Sequence, residues 1–166
     1  MVETNWPGSL HVQAMTEFFA RQIATWTYLN EWSVYDPPTE DGFFTSESGY
    51  VAVVGSEGTL VGFACHGIEA RVPGLDQELD TLDVGFGMNP LFVGQGHGSE
   101  FGTVVMDYFR NTTGARRLRV VVQSWNERSL RLCESLGFKE IGTHECIQNG
   151  SLVTYKILIK RPAPCR

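Results

Sequence analysis

The residues most able to do chemistry lie together in the run Asn89-Pro90-Leu91-Phe92-Val93-Gly94-Gln95-Gly96-His97-Gly98-Ser99, whose glycines stand at alternate positions. Glycine lets the main chain turn through left-handed conformations and lets an anion approach amides that a side chain would cover. Phe101, Val104, Val105, Tyr108 and Phe109 follow at helical spacing, so the run opens a helix from Gly98 to about Asn111. A helix start carries unpaired N–H groups and a favourable dipole for negative charge, and the chemistry implied is capture of a phosphorylated ligand by main-chain nitrogens. An ordinary strand-to-helix turn can also use glycine. The alternate spacing and the helix directly behind it favour binding. A P-loop would close on Gly-Lys-Ser or Gly-Lys-Thr, whereas this loop closes on Gly98-Ser99 without lysine. A dinucleotide fold would space its glycines G-x-G-x-x-G and place an acid about 20 residues on; Leu118 to Asn126 holds none.

A second pattern reinforces the first. Met88-Asn89-Pro90 followed by Val93-Gly94-Gln95-Gly96-His97-Gly98 resembles the first signature of the GNAT superfamily of acetyl-CoA-dependent N-acetyltransferases, V-x-P and then R or Q before G-x-G-x-G or G-x-G-x-A. Asn126, Ser129, Cys133 and Gly137-Phe138 are similar to that superfamily's second signature, N-x-x-[AS]-x-x-x-Y-x-x-x-G-F. The likeness is strong over residues 80 to 140 and looser over the rest. Two departures stand out. Val93 occupies a position where relatives usually carry Arg or Gln, which removes one side-chain contact to phosphate. Cys133 occupies the place of the tyrosine that often serves as general acid.

The resemblance implies a specific site. Acetyl-CoA would be a co-substrate, with its diphosphate on Val93, Gly94, Gln95, Gly96, His97, Gly98 and Ser99 and its pantetheine arm on main-chain groups of Phe86, Gly87 and Met88. An amide near Met88 would polarise the thioester oxygen. Asn126 would meet the pantetheine arm or simply cap a helix, and Arg131, with Arg128, would reach phosphate. A strand carboxylate commonly takes the amine proton, and Asp83 is preferred to Asp80 because it lies nearer the pantetheine stretch. An acid on a solvated edge is an equal alternative. Cys133 is the candidate proton donor to the leaving thiolate, against the plainer reading of a buried helix residue on the stripe Ser129, Leu132, Cys133 and Leu136. The aromatic segment Trp26 to Tyr35, with Glu31 and Asp36, lies where family members often build the acceptor pocket and could receive an ammonium. Packing on the sheet explains most of those rings equally well. His11, His66 and His144 earn no role.

The elements that must position these residues follow from periodicity and turn chemistry. Leu10 to Met15 alternates as a strand, and Thr16 caps a helix from Glu17 to about Trp26. A short helix and loop over Tyr28 to Phe44 is broken by Pro37-Pro38 and Gly42. Tyr50 to Val54 and Leu60 to His66 are strands about a turn at Gly55 to Gly58, and a third strand runs from Leu79 to Met88. Arg117 to Gln123 is a strand, Asn126 caps a helix to Leu136, and Gly137-Phe138 stops it. Strands Lys139 to Ile147 and Leu152 to Lys160 turn at Asn149-Gly150. The expected fold class is α/β (α+β), a GNAT-like mixed and mostly antiparallel sheet with helices on both faces, splayed between the fourth and fifth strands. The expected organisation is one domain over 1–166, with a cofactor core at 80–140, an acceptor side over 1–80 and a frayed tail at 161–166.

Bulk properties bound the function. The chain has 166 residues, of which 42% are hydrophobic and 19% charged, values that exclude wholesale disorder. No apolar run spans a bilayer and Met1 to Pro7 lacks a signal-peptide pattern, so a cytoplasmic protein without a membrane partner is expected. The net charge of −6 divides unevenly: residues 1–100 carry −12 and residues 101–166 carry +6. The acidic part suits a cationic ligand and the basic part a phosphorylated ligand, whereas an acidic protein is a poor candidate for binding duplex nucleic acid. Cys65, Cys133, Cys146 and Cys165 are widely spaced, so free thiols and no metal are expected. The expected activity is transfer of acetyl to a primary amine (a small molecule, a lysine or a peptide N-terminus) by direct attack in a ternary complex. The alternative is a non-catalytic acyl-CoA-binding or sensor module that has lost its acid. Homodimer formation is left open.

Overall fold

The computed structural model describes residues 5–40 and 42–162. Its elements follow the order β1 (His11–Ala14), α1 (Glu17–Ile23), β2 (Tyr50–Val54), β3 (Leu60–His66), β4 (Thr81–Met88), α2 (Gly98–Thr113), β5 (Arg117–Gln123), α3 (Glu127–Ser135), β6 (Lys139–Gln148) and β7 (Ser151–Lys160). This is the expected succession of strands and helices. Seven strands hydrogen-bond in the order β1-β2-β3-β4-β5-β7-β6. β1 with β2, β5 with β7 and β6 with β7 are antiparallel, while β4 with β5 is parallel. The parallel pairing is registered over only three residue pairs, from Thr81 with Arg117 to Asp83 with Arg119, although β4 continues to Met88.

The chain divides into two compact units, residues 1–64 with 86–105 and residues 65–85 with 106–166. In the first, Thr16 caps α1 by accepting a hydrogen bond from the Phe19 amide at 3.2 Å. The helix stops at Ile23, short of the expected Trp26. The Thr25 hydroxyl and amide both turn back to the Gln22 carbonyl, drawing the chain out of α-helical register. Phe19 and Ile23 face inward from α1. They join a core that includes Ala52, Val53, Leu60, Val61, Phe92, Phe101 and Val105. Phe44 stands edge-on to Tyr50 and packs beside Phe63, with ring centroids 5.0 and 5.2 Å apart.

In the second unit Leu118, Val120 and Val122 alternate inward from β5, Val120 stands opposite the buried Leu158 of β7, and Leu130 and Cys133 of α3 are buried as well. Helix α3 begins where expected. The Asn126 side chain accepts from the Ser129 amide at 3.2 Å and donates to the Ser129 hydroxyl at 3.0 Å. It ends in a Schellman motif: the Phe138 amide reaches the Cys133 carbonyl, the Gly137 amide reaches Glu134, and Gly137 takes φ +96°. Helix α2 outlasts the expected Asn111 because the Thr112 and Thr113 hydroxyls bond back to Tyr108 and Phe109, and Gly114 at φ +67° then ends it. Asn149 and Gly150, at φ +50° and +78°, turn β6 into β7 as their sequence dictates. Of the expected frayed tail, Ala163 to Arg166 lie outside the described residues, as does Cys165.

Candidate active site

The glycine loop belongs to the first unit. Strand β4 ends at Met88, and Asn89 fixes the exit. Its amide donates to the Val61 carbonyl at 2.8 Å and its side chain donates to Leu60 at 3.0 Å. The Asn89 side-chain oxygen accepts the Leu91 amide at 3.0 Å, which caps a single 3-10 turn over Pro90–Phe92. Phe92, fully buried, anchors that turn in the core. The Val93 amide is spent on the Pro90 carbonyl.

Beyond this anchor the backbone opens. Gly94 and Gly96 take φ +78° and +85°, and a Cβ built on either would have no heavy atom within 4 Å. The glycines therefore answer a conformational demand and border open space. Among the described residues, the amides of Gly94, Gln95, Gly96, His97 and Gly98 donate to no main-chain carbonyl. The first bond of α2 runs from Phe101 to His97. Such a row of amides leading into a helix of 16 residues is a ready receptor for an anion. The Gln95 side chain folds back onto the Leu91 carbonyl at 2.9 Å, leaving the main chain to face outward. Ser99 is exposed as the second residue of α2.

The expected pantetheine stretch, Phe86 to Met88, is half-buried on β4. A Cβ at Gly87 would come within 2.6 Å of the Phe63 ring, so packing alone already requires glycine there. Phe86 stands edge-on to Phe101 at 5.9 Å. The Met88 carbonyl accepts a hydrogen bond from the Tyr28 hydroxyl at 2.6 Å. Burial first, and then the nearby Asp36, raise the Tyr28 phenol above its ordinary value, so it stays protonated and serves as the donor. The Tyr28 amide donates to the Asp36 carboxylate at 2.8 Å. The expected acceptor segment is thus tied to the end of β4 through Tyr28, a residue the sequence marked only as one aromatic among several.

The second signature belongs to the second unit. Asn126 is buried, and the two bonds to Ser129 account for its capping role. Cys133 is 1% exposed within α3, and burial, with Glu134 adding to it, pushes its thiol up to about 12. Arg131 is exposed and pairs with Glu127 at 3.3 Å one turn back. Asp83 is only 3% exposed. One of its oxygens accepts from Arg119 Nε at 2.6 Å. The other accepts from Arg119 and Arg71 at 3.1 and 3.2 Å. Arg119, itself 2% exposed, also donates to the Asp76 carbonyl at 2.7 Å and pairs with Glu78 at 3.1 Å. Asp83 and Arg119 form the last registered pair between β4 and β5. Asp80, the other candidate acid, sits at φ +57° in the turn before β4, and its carbonyl accepts the Arg117 amide.

Sequence reasoning missed Arg119 and Trp6. The Trp6 ring stacks flat on His97, with centroids 4.3 Å apart and planes 1° from parallel, and its indole N–H donates to Glu100 at 2.9 Å. No spacing rule joins residues so far apart. Among the described residues, no group of three or more His, Cys, Asp or Glu is placed to hold a metal ion, and no helix is long and apolar enough to cross a membrane.

Comparison with known proteins gives the family and the fold. The family model described as "Acetyltransferase (GNAT) domain" matches residues 4–139. An acetyltransferase of the GNAT family from Bacillus anthracis superposes with TM-score 0.73 at 17% identity, over 94% of this chain and 96% of that one. A chimera of the Vibrio cholerae spermidine N-acetyltransferase SpeG and hSSAT gives 0.71 at 16% identity, covering 93% and 96%. AAC(6')-Ib in complex with ribostamycin and coenzyme A gives 0.69 at 14% identity, covering 93% and 94%. No curated protein matches the sequence significantly. With the expected succession of strands and helices in place and the family model spanning most of its length, the chain belongs to the GNAT acetyltransferase family.

Proposed function

We propose that the protein transfers acetyl from acetyl-CoA to a primary amine by direct attack within a ternary complex. The observation that carries this reading is the open glycine loop, with left-handed Gly94 and Gly96 and, at the head of α2, amides from Gly94 to Gly98 that donate to no main-chain carbonyl among the described residues. Those groups fit a diphosphate, and neither glycine leaves room for a side chain once a ligand occupies the space beside it. Val93 adds shape without a charge. Phe86 to Met88 continue the binding line toward the acyl group, and the Tyr28 hydroxyl steadies the Met88 peptide that would face the thioester.

In the reaction the neutral amine nitrogen bonds to the thioester carbonyl carbon, the C–S bond breaks, the nitrogen loses a proton and the thiolate of coenzyme A gains one. Asp83 does not suit the role of base, because Arg119 and Arg71 occupy both of its oxygens in a dry site. We assign it to the ion pair instead. Cys133 does not suit the role of acid, because a buried thiol pushed up to about 12 gives up its proton less readily than water-borne acids at neutral pH supply theirs. Proton exchange with solvent serves both ends. Asn126 is read as a cap and Arg131 as a surface residue with an outer contact to phosphate at most.

The acceptor is read as a cationic amine, on the strength of the acid-rich first hundred residues and the aromatic segment around Glu31 and Asp36. Solved structures of the same fold, one named for spermidine and one in complex with ribostamycin, are consistent with that class. We read residues 1–166 as one acetyltransferase domain working in the cytoplasm. The deciding experiment offers acetyl-CoA with a panel of amines and measures released thiol. Turnover with any cationic amine supports the enzyme. A protein that binds CoA but releases none across polyamines, lysine peptides and N-terminal peptides would be the acyl-CoA sensor, a reading favoured by the thiol that replaces the family's tyrosine.

A further inference from the structure

The reading of the loop as a diphosphate receptor raises a physical difficulty. Glu100 occupies the third position of α2, in the first turn, where its carboxylate is favourably placed by the helix dipole. The same dipole and the same amides would serve the diphosphate, so an unrestrained carboxylate competes with the ligand both as a hydrogen-bond acceptor and as a like charge.

The chain meets this difficulty with Trp6. Its indole N–H donates to a Glu100 oxygen at 2.9 Å, and its ring lies flat on His97. The indole also stands edge-on to the buried Phe92 at 5.3 Å, which ties it to the anchor of the loop. The neighbouring segment is held in turn. The Ser56 amide donates to the Gly8 carbonyl at 3.2 Å, its hydroxyl donates to Pro7, and Gly55 leaves no space for a side chain against Pro7. A fixed strap therefore carries a rigid donor to the one acid at the head of α2.

We propose that Trp6 is a positioning residue for the cofactor's diphosphate: it restrains the Glu100 carboxylate and braces His97, so that the loop amides stay available to phosphate oxygens. This rests on the function proposed above. Trp6 touches neither substrate nor reacting atoms, and its effect is confined to donors that carry a diphosphate.

The test measures CoA binding by calorimetry, and KM and kcat with acetyl-CoA and with S-acetylpantetheine, which lacks the diphosphate. Trp6→Phe keeps the stack and removes the donor. It is expected to weaken CoA binding and raise KM for acetyl-CoA about 5- to 20-fold, to leave kcat unchanged, and to leave S-acetylpantetheine kinetics as in the wild type. Adding Glu100→Gln to Trp6→Phe is expected to restore most of the lost affinity. Glu100→Gln in the intact chain, which keeps an acceptor for Trp6, is expected to bind CoA at least as tightly as wild type, and it tests the claim even if the Trp6 variant folds poorly. Wild-type affinity in Trp6→Phe, an equal loss with both donors, failure of Glu100→Gln to rescue, or weaker CoA binding in Glu100→Gln alone overturns the inference. A wild-type protein that does not bind CoA overturns the reading of the loop, and this inference with it.

Discussion

Two regions of the molecule carry polar groups of the kind that active sites use, and they are satisfied to opposite degrees. At the root of β4 and β5, the Asp83 carboxylate and the Arg119 guanidinium are almost wholly buried and find partners in each other, Arg71, Glu78 and the Asp76 carbonyl. In the glycine loop, the amides of Gly94 to Gly98 donate to no main-chain carbonyl among the described residues, and Gly94 and Gly96 border open space. Saturated groups hold a structure; unsatisfied groups that water can reach are available to a ligand. Asp83, which accepts three guanidinium bonds in a buried ion pair, is read as holding structure rather than as the base. The ion pair closes the last registered pair between β4 and β5, before β4 runs on to Phe86–Met88.

The largest expected effect breaks the saturated region. Asp83→Ala takes from the buried Arg119 its closest carboxylate and leaves it Glu78 and the Asp76 carbonyl, and it should cost about 3–5 kcal/mol in chemical denaturation. Replacing Asp83 and Arg119 together with apolar residues of similar size should recover most of that loss. A stable but inactive Asp83→Asn protein would instead restore Asp83 as the base.

Next comes the open region. Gly96→Val forces a β-branched residue to φ +85° and places methyl groups where no protein atom stands. Stability should fall by about 1–2 kcal/mol, and the rise in melting temperature given by CoA should vanish. A retained shift would place the diphosphate elsewhere.

A pH experiment sharpens the comparison for Cys133 and Cys65, both pushed up to about 12 chiefly by burial. Their folded-state values lie above the unfolded value of 9.0, so the unfolded chain releases these protons first as pH rises. The stability these thiols contribute is intact below pH 9 and declines between 9 and 12. Cys133→Ala should flatten part of that decline in denaturation curves, while catalysis at neutral pH keeps the wild-type pH profile. A profile that lost a limb would return Cys133 to the chemistry.

Smaller again is Asn126→Ala, which removes the α3 cap and should cost about 1 kcal/mol. Arg131→Ala breaks only an exposed pair with Glu127 and should change stability by less than about 0.5 kcal/mol. A marked loss of CoA affinity in either variant would show a ligand contact beyond the structural role.

Much of the fold was legible because its signals are local. Tyr50–Val54, Leu60–His66 and Arg117–Gln123 are apolar, β-rich runs, and they form strands with the bounds expected of them. Thr16, Asn126, Gly137 and Asn149-Gly150 cap or turn by bonds to residues only a few positions away. The tight turn of the glycine loop was equally legible, and Gly94 and Gly96 make it at φ +78° and +85°. What remained hidden depends on distant partners. Asp83 looked free until Arg119 arrived from 36 residues away, Tyr28 meets Met88 across 60, and Trp6 meets Glu100 across 94. Periodicity places such side chains on a face without saying which groups they will satisfy. A strand acid and a potential base therefore look alike in sequence.

The most direct test of the loop as the diphosphate receptor is a titration of the 15N-labelled protein with CoA, following main-chain amide resonances. The account predicts that Gly94, Gln95, Gly96, His97 and Gly98 move most, and that S-acetylpantetheine leaves them nearly in place. Large CoA shifts elsewhere, with these five amides unmoved, would contradict it.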